Sequence, residues 1–377
     1  FLMKNLSILF ISALISMPVS AQAPDEADAW FEHAFGQQTS DESGRGGDIA
    51  VPELFAPEGY EYVNTLTDSL PYRKGKSNII LVGAPGEVRA MQPFSWSNES
   101  VKRYADVANL YASHFGPDVR VYCMPIPLAS AYYSPSAASQ ITRPQHDAIK
   151  KMFTYLDDDV TGVDVYPILG EHAAEPIYSR TDHHWAPLGA YYAASQLAAA
   201  AGVPFLTLDN YDEHVVPDYV GTMYKFSGDV SVKNSPEDFV YYTPRGVEYK
   251  TTYITYGTRG LNVTSESEPK EGKFFLPFKG VSTYCTFMGG DSKVTKVETD
   301  AGVPRRLLIL KDSFGNAIPG YLFASFEQIH VVDCRYFTKN LTDYVHDNGI
   351  TDIVFCNNLG HATVERTTST LAKYLNQ

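Results

Sequence analysis

An apolar strand that ends in a serine is the feature that most constrains the fold of this chain. Residues 307–310 read Leu-Leu-Ile-Leu, and Lys311-Asp312-Ser313-Phe314-Gly315-Asn316 follow at once. An uninterrupted apolar run is typical of a strand that is buried on both faces, as in a parallel sheet. From here the pattern alternates: strand 305–310, a helix after Ser313, strand 328–333, helix 341–348, strand 352–356 and helix 364–375. This alternation predicts an α/β fold.

The first half of the chain shows the same alternation. Residues 77–83 are predicted as a buried strand, 98–115 as a helix and 118–124 as a second buried strand. This order and spacing predict a βαβ unit in a parallel sheet. We then predict a helix at 144–158, a short strand at 163–167, and an Ala-rich helix that opens at Pro187 and ends at Gly202.

Residues 205–300 differ from the rest of the chain. Tyr, Thr, Val and Phe alternate with polar residues there, which indicates β-hairpins. We therefore predict a β-rich insertion that interrupts one α/β domain. The predicted organisation is a signal peptide at 1–23, a flexible tether at 24–50, the two parts of the α/β domain at 51–204 and 301–377, and the insertion at 205–300.

The N-terminal segment has the pattern of an export signal. Met3-Lys4 provides a positive start, Leu6 to Met17 is an apolar run, and Ala21-Gln22-Ala23 is a typical cleavage site. A membrane anchor is the alternative, but a spanning helix needs roughly 20 apolar residues, more than this run offers. The sequence therefore predicts a periplasmic or secreted protein.

Charge and cysteine spacing exclude several classes of function. The formal net charge of −14 disfavours nucleic acid and anionic membrane surfaces as partners. Of the four cysteines, Cys123, Cys334 and Cys356 sit in apolar runs, which favours buried free thiols. Because no C-x-x-C pair occurs, a zinc or redox site built on cysteine is not expected, and the sequence implies no cofactor.

Ser313 is a candidate nucleophile because of its position. A serine between a strand and a helix lies at the carboxyl edge of the sheet, where ligands bind in open α/β folds. The free N–H groups at the start of the helix suit a developing oxyanion, and Gly315 permits close backbone approach. The alternative is that Asp312 or Ser313 merely caps the helix.

Asp182, His183 and His184 form the second candidate group. Residues i and i+2 of an extended chain point to the same side, so Asp182 and His184 are expected to project together and His183 to point away. This favours His184 as a general base that Asp182 orients. Two alternatives remain: Asp182 caps a helix and the histidines are structural, or the histidines bind a metal with His172 or Glu171. No H-x-x-x-H or H-E-x-x-H spacing supports the metal site.

The segment Tyr178-Ser179-Arg180-Thr181-Asp182-His183-His184-Trp185, with Gly189-Ala190-Tyr191-Tyr192, resembles the signature of the DHHW family, which is similar to the SGNH hydrolase-like proteins of alginate O-acetylation. Further matching segments are Gly221-Thr222-Met223-Tyr224, Ser227-Gly228-Asp229, Gly289-Gly290-Asp291, Lys311-Asp312-Ser313 and Val332-Asp333-Cys334-Arg335-Tyr336. The resemblance implies a flavodoxin-like, SGNH-hydrolase-like parallel sheet flanked by helices, with the motifs in permuted order. It implies Ser313 as nucleophile, His184 as base and Asp182 as orienting acid.

The remaining site residues are assigned by position. The backbone N–H of Ser313 is expected to bind the oxyanion, together with Gly290 and with Asn357 or Asn358, although the usual Gly-x-Asn-Asp pattern is absent. Arg335 is a candidate for binding a substrate carboxylate or for pairing with Asp333. His183 and Trp185 are further candidates for substrate binding.

These residues predict acyl transfer through a Ser-His-Asp triad. With the resemblance, they predict an O-acetyltransferase or acetylesterase that acts on a surface or cell-wall polysaccharide. The expected partners are a polysaccharide or acetylated glycan, a membrane-bound protein as acyl donor, and no nucleic acid. The alternative is a non-catalytic carbohydrate-binding or assembly protein on the same scaffold, because a fold alone proves no activity.

Overall fold

The structure, a computed structural model, describes residues 49–377. The predicted signal peptide at 1–23 and all but the last two residues of the predicted tether at 24–50 lie outside the described residues. Within residues 49–377, none of the helices combines the length and the apolar character needed to cross a membrane.

Strands and helices alternate through the described part of the chain. The strands are β1 Tyr72–Lys74, β2 Ile80–Val82, β3 Arg89–Met91, β4 Arg120–Cys123, β5 Val160–Gly162, β6 Tyr211–Tyr219, β7 Glu237–Pro244, β8 Tyr249–Arg259, β9 Asn262–Glu266, β10 Lys270–Gly272, β11 Lys293–Thr299, β12 Arg306–Lys311, β13 Gln328–Asp333 and β14 Asp352–Cys356. The α-helices are α1 Asn98–Phe115, α2 Ser130–Tyr133, α3 Gln145–Phe153, α4 Tyr166–Glu171, α5 Pro187–Ala201, α6 Met223–Ser227, α7 Val230–Lys233, α8 Leu341–Asn348, α9 Leu359–Ala362 and α10 Glu365–Lys373. Single 3-10 turns include Gly280–Thr286, Ser313–Ala317 and Pro319–Leu322.

A central sheet in the order β10-β8-β11-β13-β12-β14-β4-β5 organises the fold. Strands β13, β12, β14, β4 and β5 pair in parallel, which confirms the predicted α/β class with a parallel sheet. Strand β12 lies in the middle and five of its six residues are buried. In its register, Lys311 lies level with Asp333 of β13 and Cys356 of β14. The residues that follow these three positions therefore meet at one carboxyl edge of the sheet.

The predicted βαβ unit at 77–124 is wrong in its first strand. Strand β2 pairs with β1 and β3 in a separate three-stranded antiparallel sheet, whereas β4 lies in the central sheet. One face of this small sheet, with Leu81 and Ala90, packs in its own cluster with Met223 and Val232, whereas Ile80, Val82 and Met91 pack in the main core. An apolar run shows that a strand is buried, but it does not show which sheet buries it.

Two other local predictions need correction. The strand predicted at 163–167 lies earlier, as β5, and α4 begins at Tyr166 with Pro167 in its first turn, where proline favours a helix start. The helix predicted after Ser313 is instead the pair of 3-10 turns at Ser313–Ala317 and Pro319–Leu322. A proline lacks the N–H that would continue the first turn as an α-helix.

The stretch 205–300 is rich in strands, and part of it belongs to the central sheet. Strand β11 pairs antiparallel with β13, and β8 pairs antiparallel with β11, so both extend the parallel core at one edge. Strands β6 and β7 form a separate two-stranded antiparallel sheet, with helices α6 and α7 in the connection between them. The division of the chain at residues 204 and 300 stays a prediction.

Candidate active site

Ser313 follows β12 in a turn that Asp312 fixes. The Oδ1 atom of Asp312 accepts a hydrogen bond from the backbone N–H of Phe314 at 2.9 Å. Its Oδ2 atom accepts from the backbone and the side chain of Asn358, at 2.8 and 2.9 Å. Asp312 is fully buried and Ser313 is half-buried. The hydrogen bonds of the buried Asp312 therefore fix the turn that leaves Ser313 partly exposed.

The structure brings together the three residues of the predicted triad. The Nδ1 atom of His184 lies 2.6 Å from Asp182 Oδ1, and Nε2 of the same ring lies 2.8 Å from Ser313 Oγ. Because an ionised carboxylate only accepts hydrogen bonds, Nδ1 carries the proton and Nε2 is free to accept from the serine. This arrangement can remove the hydroxyl proton of Ser313 as the oxygen attacks an acyl carbon.

Asp182 and His184 meet for a different local reason from the one the sequence predicts. Residues 181–184 form bends rather than an extended strand, and the backbone N–H of His184 donates to Asp182 Oδ1 at 3.0 Å. This is an Asx turn, in which the carboxylate bonds the backbone two residues on. As a result His183 does not point away; its ring packs on that of His184 with centroids 3.7 Å apart.

Thr222 and Gly221 hold the second oxygen of Asp182. Thr222 donates its backbone N–H and its hydroxyl to Asp182 Oδ2, at 2.7 and 2.9 Å. Gly221 lies so close that a Cβ atom there would stand 2.4 Å from the same oxygen. Burial on its own would raise the pKa of Asp182, but the neighbouring imidazoles of His183 and His184, with the hydrogen bonds from His184 and Thr222, hold it well below its usual range. The carboxylate is therefore ionised and fixed in orientation.

His183 binds the hydroxyl of Thr222 rather than the triad carboxylate. Its Nδ1 atom lies 2.6 Å from Thr222 Oγ1 and 3.7 Å from Asp182 Oδ1. Burial, and then the neighbouring ring of His184, lower the pKa of His183 to about 3. This imidazole is therefore neutral at neutral pH.

Tyr284 packs against His184, and Tyr284 and Trp185 both bind the turn that follows Ser313. The Tyr284 ring stacks on the His184 ring with centroids 3.8 Å apart and planes 5° from parallel. The Tyr284 hydroxyl and the Trp185 indole N–H both donate to the carbonyl of Phe314, each at 3.0 Å. Trp185 is fully buried, so the structure does not support its predicted contact with substrate. Its role is to attach the turn after Ser313 to the segment of the base.

The three predicted oxyanion donors, Ser313, Gly290 and Asn357, differ in burial and in hydrogen bonding. Ser313 is the first residue of its 3-10 turn, where a backbone N–H has no partner within the turn. Gly290 has a φ of 112° and belongs to a half-buried loop. Asn357 is fully buried and its amide group bonds the Tyr104 hydroxyl and Cys334 Sγ, so its predicted role as an oxyanion donor has no support.

A buried ionic cluster lies behind the serine. Arg335 donates to both carboxylate oxygens of Asp333, at 2.8 and 2.7 Å, and lies 2.9 Å from Asp291. Lys311 donates to Asp333 at 2.8 Å. Asp291 also accepts from Asn316 Nδ2 at 2.7 Å, which joins the Gly289–Gly290 loop to the turn after Ser313. The structure thus pairs Arg335 with two internal carboxylates, the second of the two roles considered for it.

Asp182, His183 and His184 also lie close enough together to bind a metal ion. Both oxygens of Asp182, both ring nitrogens of His184 and the Nδ1 atom of His183 are, however, already hydrogen-bonded to one another, to Ser313 or to Thr222. His172, considered as a further ligand, bonds Glu175 at 2.6 Å and stacks on Tyr192 instead. The arrangement fits a proton relay better than a metal centre.

Comparison with known proteins gives the family. The model of the family described as DHHW protein matches residues 82–332. The chain belongs to the DHHW family. A crystal structure of a DHHW family protein from Eubacterium siraeum superposes with a TM-score of 0.70 at 35% identity, over 78% of this chain and 94% of that one. No curated protein matches the chain.

A more distant structure shares the fold. Bacillus cereus PatB1, solved with a sulfonyl adduct, is 16% identical and superposes with a TM-score of 0.61, over 79% of this chain and 98% of its own. The O-acetyltransferase domain of Pseudomonas putida AlgJ gives a TM-score of 0.41 at 13% identity, over 81% of this chain and 99% of its own.

Sequence reasoning missed the supporting residues of this DHHW family member. Thr222 and Asp291 lie in segments that match the family signature, but nothing in their local pattern assigned a role to either side chain. Tyr284 carried no signal at all, because its stacking on His184 joins positions far apart in the chain.

Proposed function

We propose that this protein is a serine-dependent acyl-transfer enzyme, an O-acetyltransferase or acetylesterase that acts on a surface or cell-wall polysaccharide. The observation that carries the proposal is the continuous line of hydrogen bonds from Asp182 through His184 to Ser313, with heavy-atom distances of 2.6 and 2.8 Å. These distances lie within the range at which a general base removes the proton of a nucleophile.

In the proposed mechanism, Ser313 Oγ attacks the carbonyl carbon of an acetyl ester while His184 Nε2 accepts its proton. The backbone N–H groups of Ser313 and Gly290 donate to the oxyanion. His184 then returns the proton to the leaving alcohol. The acyl-serine is resolved when a glycan hydroxyl or water attacks it, with His184 again as the base. Asp182 stays ionised throughout and stabilises the imidazolium.

The cellular setting belongs to the same proposal. The signal pattern at 1–23 supports a periplasmic or secreted enzyme, which is where a surface polysaccharide would be available. A membrane-bound acyl donor is part of the proposal only for the transferase reaction, since hydrolysis needs an acetylated glycan alone.

Active-site labelling tests the proposal. A fluorophosphonate probe, followed by mass spectrometry of the peptides, is expected to label Ser313 in the wild type and neither Ser313→Ala nor His184→Ala. A sulfonyl fluoride is a suitable second reagent, given the sulfonyl adduct in PatB1. The matched control is Ser136→Ala, since this exposed serine bonds Asp68 rather than an imidazole and its loss should leave labelling intact.

Labelling is followed by a search for the acceptor. Release of acetate from acetylated glycans would identify an esterase, and transfer of acetyl to bare glycans would identify a transferase. An unlabelled wild-type protein, under conditions in which a known serine esterase reacts, would contradict the proposal and favour the non-catalytic carbohydrate-binding scaffold.

A further inference from the structure

His183 lies beside the catalytic pair without belonging to it. Its ring contacts that of His184, with centroids 3.7 Å apart and planes tilted by 38°. Its Nδ1 atom bonds Thr222 Oγ1 at 2.6 Å. The hydrogen bonds from Asp182 through His184 to Ser313 involve neither nitrogen of His183. Its second nitrogen, Nε2, is therefore available for another contact.

Hydrogen-bond directions fix where the proton of His183 sits. The hydroxyl of Thr222 has one proton, and it donates that proton to the ionised Asp182 Oδ2 at 2.9 Å. Thr222 Oγ1 must therefore accept the bond from His183, so Nδ1 carries the hydrogen. In a neutral imidazole the other nitrogen is then an acceptor with a free lone pair. The buried carboxylate thus determines the tautomer of His183 as well as that of His184.

The free nitrogen of His183 reaches solvent. Nε2 forms no hydrogen bond within residues 49–377, and it is not among the fully buried polar atoms that lack a partner there. The side chain is 9% exposed, and Nε2 belongs to its exposed part. An open acceptor next to the catalytic base is a place for a ligand group that donates a hydrogen bond.

An aromatic ring lies beside His183 at the surface. Phe226, which is half-buried, lies 5.5 Å from the His183 ring between centroids, and the fully buried Phe314 ring lies 6.3 Å away. A hydroxyl on a ring with apolar C–H faces fits such surroundings, because the hydroxyl donates to nitrogen while a C–H face contacts Phe226. The neighbouring carboxylate, Asp182, is not open to a charged ammonium donor, since both of its oxygens are already bonded.

We propose that His183 Nε2 accepts a hydrogen bond from a second hydroxyl of the acyl acceptor, the one next to the hydroxyl that attacks the acyl-serine. His183 is then a specificity-determining residue that selects acceptors with vicinal hydroxyls over simple alcohols. The two imidazole rings lie side by side with centroids 3.7 Å apart, so neighbouring hydroxyls on one sugar-like ring would each have one imidazole to bind. The inference rests on the proposed acyl-transfer function and names the acceptor class for that reaction.

The chemical step itself is unchanged by His183. The attacking hydroxyl oxygen forms a new ester bond to the acyl carbon, and the bond from that carbon to Ser313 Oγ breaks. The proton of the attacking hydroxyl passes to His184 Nε2 and from there to Ser313 Oγ. The neighbouring hydroxyl keeps its proton and donates it to His183 Nε2 throughout, so it orients the acceptor without reacting.

A competition between two acceptors tests the inference. With 4-nitrophenyl acetate as donor, cis-1,2-cyclohexanediol and cyclohexanol are supplied at equal hydroxyl concentration, and the acetylated products are quantified by mass spectrometry. The wild type should favour the diol by about fivefold to tenfold, the contribution of one neutral hydrogen bond. In His183→Asn the amide N–H replaces the Nδ1 donor to Thr222 but no acceptor replaces Nε2. Its preference should fall to about one.

Two further variants make the result specific. In His183→Gln the longer side chain carries a carbonyl oxygen towards the position of Nε2, and part of the preference should return. His172→Asn, which alters a histidine stacked on Tyr192, should keep the full preference. Fluorophosphonate labelling of Ser313 in each variant checks that the triad is assembled.

The outcomes separate the two proposals. If the wild type shows no preference for the diol, or if His183→Asn keeps the wild-type preference while Ser313 still turns over, the role of His183 is overturned and the acyl-transfer function stands. If wild type and Ser313→Ala release nitrophenol at the same rate, the acyl-transfer function itself fails, and the role of His183 with it.

Discussion

Thr222 donates two hydrogen bonds to a single oxygen of Asp182. Its backbone N–H lies 2.7 Å and its hydroxyl 2.9 Å from Oδ2, while Oδ1 accepts from the backbone N–H and the Nδ1 atom of His184. One oxygen of the carboxylate thus binds the scaffold and the other binds the base. A carboxylate held in this way cannot rotate without breaking bonds on both sides.

Replacing the hydroxyl of Thr222 should weaken catalysis. In Thr222→Val the shape is kept, but Asp182 loses one donor and His183 loses its acceptor. We expect kcat/KM for 4-nitrophenyl acetate to fall about tenfold, the equivalent of ~1.4 kcal/mol. Thr222→Ser keeps the hydroxyl and should recover most of the loss. Equal activity of the valine variant and the wild type would show that the hydroxyl does not contribute.

Asp182→Asn should nearly abolish turnover while the fold remains. An asparagine can offer its N–H to His184 Nδ1, which stabilises the tautomer with the proton on Nε2, where it cannot accept from Ser313. We expect kcat to fall by about 10⁴. Steady-state kinetics with circular dichroism as a check on folding measures this. A fall of tenfold or less would mean that the carboxylate does not set the tautomer.

Gly221→Ala should lower both the stability of the protein and its activity, because the change disturbs Asp182. The added methyl would stand 2.4 Å from Asp182 Oδ2, so the carboxylate or the loop must move. We expect a loss of stability of about 1–3 kcal/mol and a loss of activity of at least tenfold. In the control Gly202→Ala the methyl meets open space at a φ of +65°. That variant should lose about 1 kcal/mol and keep its activity.

Removing Arg335 should destabilise the protein rather than weaken substrate binding. In Arg335→Met, Asp333 and Asp291 remain buried with Lys311 as a shared cation. Breaking a buried ion pair from one side costs about 3–5 kcal/mol, which urea denaturation measures. The control Arg103→Met removes an exposed pair with Glu99 and should cost less than about 1 kcal/mol. Unchanged stability together with a raised KM would instead support a role of Arg335 in substrate binding.

Acid should destabilise the fold through its buried carboxylates. Burial alone would raise the pKa of Asp182, Asp291 and Asp312, but hydrogen bonds and cationic neighbours lower all three. A carboxylate whose pKa is lowered in the folded state contributes its full stabilisation at pH values above about 4, the pKa of that group in the unfolded chain. That contribution is lost as the pH falls from there towards the folded pKa.

The free energy of unfolding should therefore decrease steadily below about pH 5. In Asp291→Asn the decrease between pH 5 and pH 3 should be smaller than in the wild type, since one of the three groups no longer titrates. Urea denaturation at a series of pH values measures both slopes. Parallel curves for the two proteins would contradict the assignment to Asp291.

The features that the sequence predicts well are those with strong local causes. Helix α1 has the predicted bounds, 98–115, because its apolar periodicity is bounded by a capping Ser97 and by Gly116. Strand β12 and its serine follow from the apolar run at 307–310. The spacing of Asp182 and His184 predicted two side chains that the structure does bring together, although an Asx turn rather than an extended strand does so.

The features that were missed depend on contacts between distant segments. The pairing of β2 with β1 and β3, and the addition of β8 and β11 to the central sheet, are choices among sheets that alternation alone does not specify. The contacts of Thr222 and Tyr284 with the triad arise only after these segments have packed together. The supporting residues of a site are therefore harder to predict than the residues that react.

The carbonyl of Phe314, which accepts from Trp185 and from Tyr284, ties three separate stretches of the chain at one atom. Alignment of Ser313 with its base thus depends on the simultaneous docking of all three. A partly folded chain carries the same serine, but an inert one. If Ser313 reacts as proposed, its labelling reports complete folding, and the labelled fraction during refolding measures the fraction of molecules that have reached the native state.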